Sequence, residues 1–389
     1  MFQPDLPQGT AEGTISLLFG HPDPSTLLTP AMRDALNSAM NSPQFYGAFQ
    51  YGPEQGTRAL IKYLVDKLNR EQQLGVQTEN VMITAGSTGA LDMVTRLFAP
   101  PNSIVLVEAP SYADSLHVLR DHHVRLRGIP MDDQGLIVTE LERILAELNV
   151  ANDLPIMLYT IPNYHNPTGI TLAESRRVEI LNLADRYGFL IVEDDVYHDL
   201  GFESTVPSSF YALADGKSVL SIGSFSKTFA PGLRVGWLVA DKNIIDQCVN
   251  CGVLQMGGGS NPFSAQVIAE FCSKGYLEPH IETLRAIYKQ RCEAALTALS
   301  RYMPSDVRWT HPRGGFFLWL TLPPTVLASE VKRVANERGL NFALGEGFFI
   351  DPADGRHNLR IAFSFAALPD LERGLELLAQ VIETVRRHT

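Results

Sequence analysis

The chain has 389 residues, 45% of them hydrophobic, with 32 Lys and Arg against 43 Asp and Glu and a formal net charge of −11. That length and apolar content ask for more than one packed core and exclude a disordered or fibrous class. The acidic balance excludes a nucleic-acid binder that works by neutralising phosphates, but it leaves room for a local basic pocket around a small anion.

The opening residues, MFQPDLPQGTAEGT, carry neither the basic nor the apolar region of a signal peptide, and no apolar run approaches the roughly 18–20 residues of a membrane helix. Four cysteines (Cys248, Cys251, Cys272 and Cys292) are too few for a disulfide framework, so no membrane association and a reducing, cytoplasmic setting are expected. Cys248 and Cys251 form a lone C-x-x-C inside an apolar, helix-like stretch. Buried helical cysteines are the better reading, and no metal is expected.

In chain order, residues 1–45 are rich in Pro and Gly and read as an N-terminal arm that packs on the C-terminal part or on a cleft. Residues 46–285 form the predicted large domain. Within it the runs NVMITAG, SIVLVEAP, VRLRGIP, PIMLYTIP, FLIVEDDVY, VLSIGSFSK and RVGWLVA alternate with helical stretches. Continuous apolar strands of this kind predict an α/β fold with a mostly parallel seven-stranded sheet sandwiched by helices. ESRRVEILNLADRYG is a crossover helix ended by Gly188. Residues 276–303 read as one long amphipathic helix bridging two domains. Residues 286–389 then form a smaller α+β domain, with strands in GGFFLWLTL and NLRIAFSF and helices near 327–338 and 368–387.

Ligands of open α/β sheets bind outside the carboxyl ends of the strands, so the residues just past each strand matter most. In TAGSTGALDMV a Gly-Ser-Thr-Gly turn opens a helix, either a phosphate site or an ordinary helix start. In PNYHNPTG, Asn166 is biased away from helix by Pro167 and offers its amide to a ligand oxygen, unless the stretch is turn chemistry alone; His165 reads as a loop histidine. In LIVEDDVYHDL three acids end an apolar strand. Asp194 suits a protonated ring nitrogen, and Glu193 and Asp195 then point away by strand alternation, which weakens a magnesium or calcium reading.

SFSKTFAPGLRVGW carries Lys227 past another strand end. Asn166 to Asp194 is 28 residues and Asp194 to Lys227 is 33, each about one strand–helix–strand unit of roughly 30. A desolvated lysine beside Arg234 has a lowered pKa and attacks a carbonyl. Arg234 and Ser224, with the Gly86–Gly89 helix start, would clamp a phosphate. Aldehyde, ring nitrogen, phenolic oxygen and phosphate together describe pyridoxal 5′-phosphate (PLP), an electron sink for a carbanion at the substrate Cα.

NPTG at 166–169, EDDVY at 193–197 and SFSKTFAPGLRVGW at 224–237 make the chain resemble a fold-type I, PLP-dependent aminotransferase of class I/II, near the α-aminoadipate/kynurenine branch, over nearly its whole length. The resemblance implies exchange of an amino group between an L-amino acid and a 2-oxo acid, by a ping-pong path through the pyridoxamine form. It implies that Lys227 is the Schiff-base lysine, that Asp194 pairs with the ring nitrogen, and that Asn166 and Tyr197 bond the phenolic oxygen. Ser87, Thr88, Ser224 and Arg234 should hold the phosphate, and Tyr112 should stack on the ring unless it is a core tyrosine. Tyr51 should reach the phosphate of a neighbouring subunit, which implies a homodimer. Arg360, in HNLRIAFSF, should bind the substrate α-carboxylate rather than serve as a surface residue, and Gly20 should lie beside that carboxylate.

GHPDPSTLLTPAMRDAL has no arginine before Arg33, so a side-chain carboxylate is not provided for, whereas Phe19, Phe45 and Phe49 suit a neutral or aromatic side chain. Rival chemistry on the same site would be β-elimination, decarboxylation or racemisation. A regulator that only senses PLP would carry an N-terminal winged helix, and here the aminotransferase pattern begins within about twenty residues. A dinucleotide-dependent dehydrogenase fails for want of a G-x-G-x-x-G after the first strand.

Overall fold

The computed structural model describes residues 13–203 and 205–387, so the first twelve residues of the expected arm lie outside it. The strands up to residue 240 are β1 (Ile15–Ser16), β2 (Val81–Thr84), β3 (Ile104–Ala109), β4 (Arg125–Asp132), β5 (Gly135–Leu136), β6 (Pro155–Thr160), β7 (Leu190–Asp194), β8 (Val219–Ser224) and β9 (Gly236–Val239). The seven predicted strands form the large sheet in the order β2-β9-β8-β7-β6-β3-β4, and the two-residue β5 turns back on β4 as an eighth, edge strand. Every neighbouring pair from β8 through β4 is parallel; β9 runs antiparallel to both β8 and β2.

Alternation along these strands builds two cores. Val81, Ile83, Ile104, Leu106, Leu158 and Ile191 join one apolar cluster, and Met82, Val105, Val107, Met157, Tyr159 and Val192 join the other. Successive side chains point to opposite faces, so each strand feeds both clusters and must be apolar throughout. The crossover helix Glu174–Tyr187 ends where Gly188 takes φ of 76°, a left-handed cap that glycine adopts without a Cβ penalty.

The strands of the C-terminal part are β10 (Arg308–Trp309), β11 (Phe317–Thr321), β12 (Leu340–Asn341), β13 (Ala343–Leu344) and β14 (Asn358–Ala362). β10, β11, β14 and β13 form an antiparallel sheet in that order. The long helix spans Leu277–Tyr302, and two more run over Ala328–Glu337 and Leu368–Arg386, as the periodicity predicts. Leu284, Tyr288, Cys292 and Ala295 of the long helix share one cluster with Phe316, Leu318 and Ile361 of the small sheet and with Val105 and Met157 of the large one.

The arm is tied to the C-terminal part. β1 pairs in parallel with β12, Ile15 opposite Leu340, and Ala362 N–H donates to the Leu17 carbonyl at 2.8 Å. Tyr288 Oη accepts from Asp23 N–H at 3.1 Å, and Asp23 also accepts from Arg291. These ties carry residues 18–21 across the carboxyl ends of the large sheet's strands.

Candidate active site

The helix Gly86–Phe98 starts directly after β2, and Gly86 has φ of 72°, in the left-handed region. The amide hydrogens of a first helical turn have no partner within the helix, so this end is electropositive. Arg234 comes to it from the short turn Pro231–Leu233, with its own φ of 52° reversing the chain. A Cβ placed on Gly86 would lie 2.8 Å from Arg234 Nη2, so the guanidinium rests against the helix start and only glycine leaves it room. Ser87, Thr88, Ser226 and Arg234 line one wall of a cavity of about 530 Å³. Ser224, predicted from the same stretch, is not in that lining. It stands two residues before Ser226, donating its hydroxyl to Ser226 Oγ at 2.9 Å and accepting from Ser226 N–H at 3.0 Å.

Lys227 lines the same cavity. Its Nζ donates to the Gly20 carbonyl at 3.2 Å and sits 5.8 Å from the Tyr197 ring centre and 5.7 Å from that of Phe316. Burial, then the positive charge of Arg360, pulls its pKa down to about 8. An ammonium surrounded by aromatic faces and a carbonyl is poorly solvated, and the neutral amine is the nucleophile.

Asp194, the last residue of β7, faces this cavity and is 6% exposed. Its neighbours point elsewhere, as alternation predicts. Glu193 accepts from the amides of Phe210 at 2.8 Å and Tyr211 at 3.3 Å, and Asp195 accepts from Asn163 Nδ2 at 2.7 Å and pairs with His198 Nδ1 at 2.8 Å. Tyr159 donates its hydroxyl to Asp194 Oδ2 at 2.7 Å, whereas Oδ1 is buried without a partner among the described residues. Burial raises the Asp194 pKa to about 6, and the Tyr159 hydrogen bond opposes that rise. Ser115 Oγ lies 2.7 Å from Tyr159 Oη. With the phenolic hydrogen committed to a carboxylate, which accepts only, the serine must donate to the phenol.

Arg360 projects from β14 and is 8% exposed. Nη1 donates to Asn166 Oδ1 at 2.9 Å, Nη2 donates to the Leu18 carbonyl at 2.9 Å, and Nε is buried without a partner among the described residues. Its guanidinium carbon lies 4.4 Å from the Phe317 ring centre and 4.8 Å from that of Phe348. Because the Asn166 oxygen is occupied by Arg360, its amide hydrogens remain to donate elsewhere. Tyr197 and Tyr112 line the cavity too, and Tyr112 donates its hydroxyl to Asp114 Oδ2 at 2.5 Å. Gly20 lies over Phe317: a Cβ there would fall 2.3 Å from the ring's Cζ.

Eleven of the twelve predicted residues therefore divide simply: Gly20, Ser87, Thr88, Tyr112, Asn166, Asp194, Tyr197, Lys227, Arg234 and Arg360 line one cavity, and Ser224 backs it. Tyr51 does not line it and is 83% exposed. Sequence reasoning missed Ser226, Tyr159, Ser115 and Asp114. Tyr159 was detectable as the sole ring hydroxyl in the apolar strand PIMLYT, and Ser226 as the residue adjoining Lys227.

Residues 15–375 match the model of the family described as aminotransferase class I and II. The chain belongs to the class I and II aminotransferase family. It is 32% identical to aromatic-amino-acid aminotransferase 1 of Thermococcus litoralis, over 95% of this chain and 88% of that protein. A kynurenine aminotransferase of Pyrococcus horikoshii superposes with a TM-score of 0.91 at 35% identity, covering 95% of this chain and 91% of that one. The same region is 35% identical to an HTH-type transcriptional regulator of Bacillus subtilis, YisV, over 88% of this chain but only 68% of that protein.

The enzyme is thus a PLP-dependent aminotransferase whose small-molecule substrates are amino acids, and its fold is fold type I. The residues fit the cofactor on their own chemistry. A buried carboxylate oxygen without a partner suits a protonated ring nitrogen, and the glycine-floored cradle at Gly86 suits a phosphate. Among the described residues no helix is long and apolar enough to cross a membrane.

Proposed function

We propose that this aminotransferase takes donors with neutral, including aromatic, side chains, and that the residues lining the cavity divide its chemistry as follows. Ser87, Thr88, Ser226 and Arg234 hold the phosphate, with Ser224 orienting Ser226. Asp194 Oδ1 accepts the ring N–H, and Asn166 and Tyr197 donate to the phenolic oxygen. Tyr112 stacks on the ring, as its place on the cavity wall allows. The bound cofactor supplies an electron sink for the carbanion at the substrate Cα. Lys227 would hold the cofactor through Nζ, and as the neutral amine that its burial favours it would take the substrate Cα proton. Arg360 orients the α-carboxylate through its unpaired Nε hydrogen.

The observation that carries this division is the Asp194 carboxylate, held from one side by Tyr159 and free on the other, in the cavity that holds Lys227. Purified Lys227→Ala protein given PLP should lack the visible absorption band of the attached cofactor, and retention of that band would reject the assignment. A donor panel run with the holoenzyme tests the substrate class: half-reactions dominated by glutamate and aminoadipate would reject it.

The homodimer reading draws support from an apolar face. Tyr46, Phe49, Tyr51 and Met256 are 74%, 71%, 83% and 92% exposed. Phe49 packs at 5.7 Å against Phe263, and Gly259 N–H donates to the Gly52 carbonyl at 3.3 Å, so residues 46–52 and 256–263 form one surface. Such a contiguous patch fits a second copy of the chain, with Tyr51 reaching that copy's phosphate site. Sedimentation should give a dimer, and Tyr51→Phe should weaken PLP retention; a monomer that holds PLP normally would reject this. Four unpaired, buried cysteines support a cytoplasmic location. The long helix Leu277–Tyr302 supports the proposed division near residue 285.

A further inference from the structure

Asp194 has a second acid next to it in the chain. Asp195 is 9% exposed and does not line the cavity that Asp194 faces. Its carboxylate ties two segments of the site together. Oδ1 accepts from Asn163 Nδ2 at 2.7 Å, three residues before Asn166, and Oδ2 lies 2.8 Å from Nδ1 of His198, the residue after Tyr197. Asn163 is fixed in turn by Arg177, whose Nη2 donates to Asn163 Oδ1 at 2.7 Å. Asp195 therefore braces the two segments that carry Asn166 and Tyr197.

A buried carboxylate beside Asp194 also repels its charge. Burial raises the Asp194 pKa to about 6, and Asp195 and Glu108 add to the rise against Tyr159 and Lys227. The charge of Asp195 must therefore be met on the spot. Among the described residues His198 is the one side chain that forms an ion pair with it. The other charged groups nearby have partners of their own. Lys67 pairs with Glu71 and with Asp199 Oδ1 at 3.0 Å, and Arg285 donates to the Asp199 carbonyl and to Glu282 Oε1, each at 2.7 Å. Arg177 donates to the carbonyls of Pro162, Leu172 and Ser208, Glu193 accepts from two backbone amides, and Glu108 has His165 Nε2 at 3.0 Å. Burial works against a proton on His198 and so does Lys67, but Asp195 and then Asp199 outweigh them and raise the imidazole above its usual value.

We infer that His198 is a positioning residue for the cofactor ring: as an imidazolium paired with Asp195 it cancels the charge of that acid, and so leaves Asp194 ionised to receive the ring N–H. The inference rests on the proposed role of Asp194. The brace itself needs only hydrogen bonds, and the imidazolium is what makes a carboxylate tolerable within it. A neutral side chain at 198 leaves Asp195 an uncompensated anion one residue from Asp194, and Asp194 then takes up its proton at a higher pH. The ionised form of Asp194 exists above its pKa and is lost as pH falls, so the damage appears on the acid side.

The test follows PLP affinity against pH by fluorescence titration of the apoenzyme, in the wild type, in His198→Gln and in the double variant His198→Gln/Asp195→Asn. The ionisation of PLP itself is common to all three. Glutamine can still donate a hydrogen bond to Asp195 but carries no charge. Wild-type affinity should fall through about pH 6. His198→Gln should move that midpoint up by about one unit, which weakens PLP about fivefold at about pH 6 and little at about pH 8.5. Adding Asp195→Asn removes the repelling charge as well and should bring the midpoint back, which a merely structural role would not do. An unchanged midpoint in His198→Gln, or a double variant no better than the single one, would overturn the inference. Asp194→Asn separates the two readings: it should abolish the midpoint, and if the midpoint persists the Asp194 assignment falls and the inference with it. If His198→Gln does not fold, proton NMR of the wild-type apoenzyme decides: His198 should still be charged at about pH 7.5, and a neutral imidazole there would overturn the inference.

Discussion

Tyr159 and Asp194 are joined by a hydrogen bond of 2.7 Å that lies wholly inside the protein, between adjacent strands β6 and β7. The phenol keeps a buried carboxylate ionised while leaving its other oxygen free for a ligand. Tyr159→Phe removes the one hydrogen-bond donor that this carboxylate has among the described residues, and a buried charge that loses its donor costs about 1–3 kcal/mol. PLP affinity should fall by roughly tenfold or more, read by fluorescence titration of the apoenzyme. Ser115→Ala, one bond further out, should have a smaller effect in the same direction. Equal PLP affinity in wild type and Tyr159→Phe would refute the link.

Lys227 must shed a proton before it attacks. Its pKa is lowered to about 8 by burial and by Arg360, so the neutral fraction rises as pH climbs through that value. The rate at which apoenzyme takes up PLP should rise between pH 7 and pH 9 and then level off. A midpoint near 10, that of an ordinary lysine, would show that the cavity does not desolvate the amine.

Gly20 is required for space, since its φ does not lie in the left-handed region. A methyl group there would collide with Phe317, one of the rings under Arg360. Gly20→Ala should lower kcat/KM by displacing the Lys227 and Arg360 contacts, and Phe317→Leu in the same chain should restore part of the loss. Additive losses in the double variant would argue that the two residues act separately.

Arg360→Lys keeps the charge but loses the planar fork that holds Asn166 and Leu18 in place. KM for every amino donor should rise, with kcat/KM down by about a hundredfold, the scale of losing a buried charge-assisted pair. Unchanged steady-state kinetics across the donor panel would exclude Arg360 from carboxylate binding.

Gly86→Ala combines a strained φ with a Cβ 2.8 Å from Arg234 Nη2. PLP should bind more weakly to this variant, by about tenfold, and free phosphate should protect it less well from heat than it protects the wild type. Equal protection would place the phosphate elsewhere.

Much of the site was legible because it follows strand ends. An apolar run says where a strand stops, and the residue past it is at the ligand end of a parallel sheet whatever its neighbours are. Asp194 and its two neighbours, buried on the other side of the strand, could be sorted by alternation alone. Ser224 lies just behind the cavity wall and Ser226 in it, a difference that sequence cannot show, since two serines of one turn differ only in which faces the cavity. Tyr159 was missed because its partner is supplied by the register of the next strand, Ser115 because its partner lies on a strand 44 residues away, and Asp114 because an acid in a first helical turn has an ordinary meaning there.

The sequence by itself determined the alternation of strands and helices, the face each residue takes and the side-chain chemistry available at the strand ends, since those follow from local periodicity and residue type. Tertiary structure alone decided the meetings across long stretches of chain: Gly20 with Lys227, 207 residues apart, and Asn166 with Arg360, 194 apart. Those contacts exist because β1 pairs with β12 and one apolar cluster joins the two sheets. No local pattern carries that information, because it belongs to packing between elements that approach each other only when the whole chain has folded.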